Sequence, residues 1–245
     1  MPNDRYGEWA DRYDRMRSDN PERLLFFRTL FAEHSVKSVL DCACGTGHDL
    51  IALHRMGLHV EGSDLSGAML EQARRNIAGA EACIPLRQLD FRDLREAYDE
   101  PFDAVVCLSN SINELLDDGD VLRALGSMRA VLRPEGVLVI DQGQTDASMR
   151  NPPLYAPVGN DPHYTRVFVM EYQDRLMTVH VLDFAHSHNE TSMHEAEVTL
   201  KIRLAADWRG LLTEAGFTSI DLAGDWSGAP YDIESSRRLI AVATR

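Results

Sequence analysis

Val39-Leu40-Asp41-Cys42-Ala43-Cys44-Gly45-Thr46-Gly47 is the stretch on which the reading of this chain turns. An apolar run over residues 36–43 ends in glycines, and apolar side chains at helical spacing follow from Asp49 to Met56. That order reads as strand, glycine turn, helix. A second run, Leu58 to Ser63, stops at Asp64, after which Ser66 stands as an N-cap for a helix carrying Met69, Leu70 and Ala73 on one face. Phe102 to Leu108 and Gly136 to Ile140 are two further buried-type strands. Between them lies a helical stretch from Asp120 to Leu132, closed by Arg133-Pro134-Glu135-Gly136. Strands alternating with helices predict an α/β fold, a doubly wound and mostly parallel sheet with helices on both faces.

After Asp141 the rhythm changes. Asn151-Pro152-Pro153 to Pro162 reads as a loop, and three period-two segments follow at 164–172, 176–185 and 191–203, predicted to pair antiparallel. Residues 150–205 are therefore expected to form an antiparallel β insertion on the surface of a single domain, as a lid, a substrate contact or an oligomer contact. Trp208, Leu211, Leu212 and Ala215 restore helical periodicity up to Gly216, and strands near 217–223 and 237–244 close the chain.

A chain of 245 residues with 44% hydrophobic and 26% charged residues has room for one large domain with a real core. The formal net charge of −14 argues against a nucleic-acid partner, because such binding is built from clustered Lys and Arg. No apolar run approaches the roughly 20 residues that span a bilayer, and Met1 to Asp14 lacks an apolar signal segment, so no membrane and a cytoplasmic address are expected. Of the four cysteines, Cys42, Cys44 and Cys107 lie in apolar runs and Cys83 does not; none forms a CxxC, and small reduced hydrophobes are the expected reading.

The glycine turn and Asp64 together predict a nucleoside site, with the acid placed to accept from both ribose hydroxyls. A dinucleotide fits poorly: position 50 is Leu where a third glycine is needed, and Asp49 would face the phosphates. Asp41 and Asp49 suit a cation instead, such as the sulfonium and ammonium of S-adenosylmethionine.

With these pieces, and with Gly62-Ser63-Asp64-Leu65-Ser66, Leu89-Asp90-Phe91 and Phe102-Asp103-Ala104-Val105-Val106-Cys107-Leu108, the chain resembles the class I S-adenosylmethionine-dependent methyltransferases from Val39 to its closing strands. Within them, Cys107-Leu108-Ser109-Asn110-Ser111-Ile112-Asn113-Glu114-Leu115, the Cys44 turn and Leu138-Val139-Ile140-Asp141 look like the glycine/sarcosine N-methyltransferase branch. The resemblance implies a seven-stranded Rossmann-like sheet, S-adenosylmethionine as cofactor, and a small polar methyl acceptor, an amine or amino acid. It further implies that Ala43 and Gly45 pack on the methionine part, that Asp64 takes the ribose, that Asp90 and Phe91 flank the adenine, and that Leu108 lies beside the sulfonium. Asp41, Gly47, Leu65 and Met69 complete the expected cofactor shell. Tyr6, Trp9 and Tyr13 resemble the aromatic entry helix of these enzymes, within a helical cofactor lid over residues 1–35; a helix stripe packed on the core is the alternative.

Asn110 matches the family's asparagine beside the substrate, and it could also cap the following helix. Two departures stand out. Asp141-Gln142-Gly143-Gln144 replaces the arginine that the glycine branch uses to clamp a carboxylate, and Glu114 replaces a histidine. Glu114 could pair with a cationic amine or help move its proton, and a solvent-facing glutamate is the plainer reading. Tyr155 and His186 are the other candidate substrate contacts.

Two signals are set aside. Asn151-Pro152-Pro153-Leu154 follows the fifth strand rather than the fourth and reads as a proline turn. His186, His188 and His194 with Glu190 or Glu195 have permissive spacing only, and no metal is expected. The readings left open are an O- or S-methyltransferase, a non-catalytic cofactor-binding module, a nicotinamide-dependent oxidoreductase, and a homo-oligomer of any of these.

Overall fold

A computed structural model describes residues 4, 6–7, 9–16, 20–187 and 190–245. Leu40, Val105, Val106, Leu138 and Val139 are all fully buried, as strands covered on both faces require. They belong to β1 (Ser38–Asp41), β4 (Phe102–Cys107) and β5 (Leu132–Gln142), the middle of a seven-stranded sheet completed by β2 (His59–Asp64), β3 (Leu86–Gln88), β10 (Ser219–Ala223) and β11 (Leu239–Thr244). The order is β10-β11-β5-β4-β1-β2-β3, and only β11 runs against the rest. The chain leaves β1 towards β2 and β3, then crosses back to β4 and β5. The strand order therefore reverses between β1 and β4, where such sheets open a crevice at their carboxyl ends.

Alternate strand residues feed two cores. Val39, Val106, Val139 and Ile240 face α2 (Pro21–Glu33), α3 (His48–Arg55) and α4 (Gly67–Gly79) through Phe27, Leu50 and Leu70. Leu40, Val105, Leu138 and Ala241 face α5 (Asp118–Ala130) and α6 (Ala205–Glu214) through Leu125 and Trp208. The expected doubly wound architecture is present. Ser66 caps α4 as anticipated, its hydroxyl accepting from the Met69 N–H at 3.1 Å. Among the described residues no helix is long and apolar enough to cross a membrane.

Three boundaries differ from expectation. The Arg133-to-Gly136 segment does not close a helix that reaches Leu132; α5 ends at Ala130, and β5 already pairs Leu132 with Phe102. A register shift then passes the exposed Pro134 and Glu135, with Glu135 in the left-handed region at φ 61°. This bulge lets a proline sit inside a strand without breaking a ladder. Secondly, residues 155–161 are not loop but strand β6 (Tyr155–Asp161), which makes the insertion four-stranded with β7 (Tyr164–Gln173), β8 (Leu176–His186) and β9 (Thr191–Lys201). Pro157, Gly159 and Asn160 disfavour a strand locally, but β6 is an edge with a bulge between Pro157 and Gly159, where pairing to β7 overrides propensity. Thirdly, α2 has an unread start signal: Asn20 Oδ1 accepts from the Arg23 N–H at 3.0 Å, and Pro21 sits at the first helical position.

The antiparallel sheet buries one face. Met170, Met177, Val179, Val181 and Leu200 pack there against Trp9, Tyr6 and Tyr13 from the segment around the short helix α1 (Ala10–Tyr13). Inside this contact Arg166 is fully buried, paired with the buried Asp183, and its guanidinium lies 5.3 Å from the centroids of both Trp9 and Tyr164.

Candidate active site

Asp41 ends β1, and in the parallel register it stands beside Gly62 of β2. The chain then turns back over the two strand tips. Cys44 N–H donates to the Ser63 carbonyl at 2.9 Å, and Gly45 N–H donates to Asp64 Oδ2 at 2.8 Å. Gly45 and Gly47, at φ 52° and 80°, supply the left-handed backbone this turn needs. Gly62 is required for another reason: a Cβ there would lie 2.4 Å from Leu50 and 2.8 Å from Leu86, beneath the turn. Asp64 and the glycine turn thus sit at adjoining strand tips, the arrangement a nucleoside site would need.

The floor of this crevice is acidic. Asp41 is fully buried, and burial, reinforced by the neighbouring Asp49 carboxylate, pushes its pKa up to about 8, against the Ala43 N–H and Arg23, which favour the charge. Asp64 is raised too, chiefly by burial, while N–H groups of Ser66 and Gly45 hold it down. Buried carboxyls without a full counter-charge fit a cationic ligand. Arg23, which pairs with Asp49, was not singled out from sequence. A signal existed: a cation in the first turn of a helix opposes the helix dipole, so it needs a partner elsewhere.

A roof lies above. Tyr6 stacks on Trp9 at 5.6 Å and Trp9 meets Tyr13 edge-on at 5.3 Å. Trp9 packs on the insertion, as the core-packing reading of this stripe expects, while Tyr6 turns towards Glu114. The Tyr6 hydroxyl donates to Glu114 Oε1 at 2.5 Å, and burial, together with Glu114, Tyr13 and Asp64 nearby, raises its pKa well above the usual phenol range. Glu114 is half-buried rather than solvent-facing. Asp14 pins the same segment to the glycine turn and α4, accepting from Thr46 Oγ1 at 2.5 Å and Asn76 Nδ2 at 2.7 Å. Burial alone would raise the Asp14 pKa, but these bonds and His48 bring it below the usual range. Asp4 adds a bond from Ser66 Oγ at 2.9 Å.

On the other side of β1, β4 runs into Ser109 and Asn110, both left-handed at φ 59° and 67°, and then a 3-10 turn over Ser111–Glu114. Asn110 does not cap that turn with its side chain; its Oδ1 accepts from Gly143 N–H at 2.9 Å. The turn is shorter than the helix expected there. Asp141, fully buried, accepts from Ser109 N–H at 2.8 Å and from Arg238 Nε at 2.7 Å.

The remaining candidates fall variously. Leu108 and Met69 are buried, Ala43 and Phe91 are half-buried against the α5 and α6 core, and Leu65 is exposed. Asp90 is gripped by Arg92, Nη2 to Oδ2 at 2.6 Å, and this outweighs the effect of burial and lowers its pKa. Tyr155 stands 72% exposed on the edge strand β6. His186 sits at the end of β8 between Thr165 and Thr191, 3.0 and 3.3 Å away, whereas Met177 at the other end touches Gln144. His188 lies outside the described residues, and no group of three or more His, Cys, Asp or Glu able to hold a metal occurs among those described. The cysteines are unpaired; Cys42, Cys44 and Cys107 are buried and Cys83 is exposed.

Residues 39–136 match a family model described as "Methyltransferase domain". A glycine/sarcosine N-methyltransferase of Parasynechococcus marenigrum (strain WH8102) is 37% identical over 142 residues, 57% of this chain, and the match spans half of that relative's length. An S-adenosylmethionine-dependent methyltransferase from Clostridium acetobutylicum ATCC 824 superposes with a TM-score of 0.82 at 18% identity, covering 98% of this chain and 97% of its own. A sugar N-methyltransferase from Streptoalloteichus sp ATCC 53650 gives 0.78 at 25% identity, covering 98% and 93%. Strand order, the glycine turn and the place of Asp64 agree with these matches: residues 39–136 carry a methyltransferase domain, and the chain shares its fold over nearly its whole length with S-adenosylmethionine-dependent methyltransferases.

Proposed function

We propose that this protein methylates the nitrogen of a small metabolite that carries an amine, an amino acid or an amino sugar. The observation that carries this reading is Glu114, a half-buried carboxylate held by Tyr6 at the acceptor side of the acidic crevice. A carboxylate there favours a cationic amine over a neutral hydroxyl or thiol. The glycine/sarcosine and sugar N-methyltransferases to which the chain is similar have nitrogen acceptors by name.

When bound, S-adenosylmethionine supplies a methyl group on a positively charged sulfur, already activated for displacement. The protein's part is positioning, which is worth up to roughly 7–11 kcal/mol in intramolecular models. In this reading Asp41 holds positive charge, Asp64 takes the ribose hydroxyls, and Arg23 faces the methionine carboxylate. Asn110 orients the acceptor, and Glu114 accepts the proton that an ammonium must lose before its lone pair is free. Tyr6, Trp9 and Tyr13, backed by the insertion, form a lid that excludes water. Tyr155 and His186 have no place in this arrangement.

Titration calorimetry with S-adenosylmethionine and with NAD tests the cofactor assignment, and radiolabelled methyl transfer to glycine, sarcosine and amino hexoses tests the acceptor. Glu114→Gln should lower kcat by about 100-fold, within the range for a positioned acid or base, and leave cofactor affinity within twofold. Silence at millimolar S-adenosylmethionine, or equal methylation of alcohols and thiols, overturns the proposal.

A further inference from the structure

The Gln142 side chain is fully buried at the tip of β5 and uses all of its hydrogen-bonding positions. Its Oε1 accepts from Trp208 Nε1 and from Asn113 Nδ2, each at 2.8 Å. Its Nε2 donates to the carbonyls of Gln144 and Arg203, each at 2.6 Å. An indole N–H only donates and a carbonyl only accepts, so the amide has one permitted orientation. That orientation sets Asn113 in turn, because its Nδ2 must face the Gln142 oxygen. Asn113 is itself fully buried, and its Oδ1 is left without a partner.

The turn that Asn113 belongs to has reason to need an anchor. Ser109 and Asn110 are adjacent non-glycine residues in the left-handed region, a shape that persists only when its surroundings impose it. The tip of β5 imposes it at two levels: Asp141 receives the Ser109 N–H, and Gly143 N–H reaches Asn110 Oδ1 at 2.9 Å. Gln142 lies between these two residues and grips the far end of the turn.

We infer that Gln142 is a positioning residue, holding the Ser111–Glu114 turn through Asn113 so that Asn110 and Glu114 face the acceptor, with Trp208 setting its orientation. This rests on the proposed placing of the acceptor at that turn. Cofactor binding is set by a different group of bonds, around Gly45 and Asp64. The two sides of the site are therefore separable by mutation. Loss of Gln142 disorders the acceptor side and spares the cofactor side.

Gln142→Met and Trp208→Phe test this in the full chain, read by hydrogen exchange with mass spectrometry and by titration of S-adenosylmethionine. In Gln142→Met, amides of residues 109–115 should exchange at least about tenfold faster, residues 59–66 should be unchanged, and the cofactor Kd should stay within twofold. With glycine, sarcosine or an amino hexose as acceptor, kcat should fall about tenfold or more. Trp208→Phe, the milder change, should act in the same direction and add nothing to Gln142→Met, as expected of two residues in one linkage. Unchanged exchange over 109–115 in folded variants overturns the inference, as does unchanged kcat. If the wild type binds no S-adenosylmethionine, the functional reading fails, and the exchange comparison still judges the Gln142 anchor by itself.

Discussion

If Asp41 holds the positive charge of the cofactor, as proposed, cofactor binding should be a proton-linked event. In the free protein its carboxyl has a pKa of about 8 in place of the ordinary 3.8, so at pH 7 it is ~90% protonated. A cationic ligand favours the ionised form, and binding at pH 7 should release about 0.9 proton per site. The sign follows: affinity for S-adenosylmethionine rises by about tenfold per unit as pH approaches 8 from below and levels off above it. Stability of the free protein runs the other way. The unfolded chain loses this proton near 3.8 and the folded chain near 8, so folding stability declines as pH rises between them, by at most about 6 kcal/mol at 1.36 kcal/mol per unit. Calorimetry in buffers of different ionisation enthalpy counts the proton directly. Asp41→Asn should abolish most of the release and flatten the affinity between pH 6.5 and 8. It should also raise the melting temperature of the free protein at pH 8, with little change at pH 4. Release below about 0.3 proton in the wild type, or the same release in Asp41→Asn, would refute the link between burial at this position and cofactor charge.

Other expectations concern the parts that build the site. Gly62→Ala forces a methyl group against Leu50 and Leu86 and should cost about 1–3 kcal/mol, seen as a fall in thermal midpoint of about 2–4 °C per kcal/mol. Arg166→Met leaves the buried Asp183 with Arg12, at 3.5 Å, as its remaining cationic partner among the described residues, and should destabilise by about 3 kcal/mol and speed cofactor release in stopped-flow by loosening the Trp9 segment. Ser66→Ala removes the cap of α4 and the hydroxyl that binds Asp4, for about 1 kcal/mol in chemical denaturation. Tyr6→Phe removes the hydrogen bond to Glu114 without removing the ring; kcat should fall while the melting temperature moves by less than about 3 °C, one hydrogen bond's worth.

Much of the candidate site around the glycine turn was legible because it is local. Asp41, Gly45, Asp64 and Ser66 lie within one strand-turn-helix-strand passage, and each announces itself by residue type at a boundary. The part around the turn after β4 was only partly legible. Asn110 and Glu114 stood out by place in a motif, yet that Glu114 is half-buried against Tyr6 depends on a contact between residues 108 positions apart. Arg238 against Asp141 and Trp208 against Gln142 are likewise joined across 97 and 66 positions, and nothing in their neighbourhoods marks them. Tyr155 and His186 show the reverse: they carry suggestive chemistry and are placed on an exposed edge and between two threonines.

Period-two and helical runs, glycines at strand ends and the caps were enough by themselves to determine a doubly wound sheet with acidic residues at the strand tips of its switch point. Those features act within about ten residues, the range over which backbone geometry is set by its own side chains. Which side chains gather around the turn after β4, the strand character of residues 155–161, and the docking of the aromatic segment on the insertion were decided only by tertiary structure. Each depends on partners distant in the chain: burial fixes a carboxyl at a pKa of about 8, and hydrogen bonds to Trp208 and Arg203 turn a glutamine to one orientation.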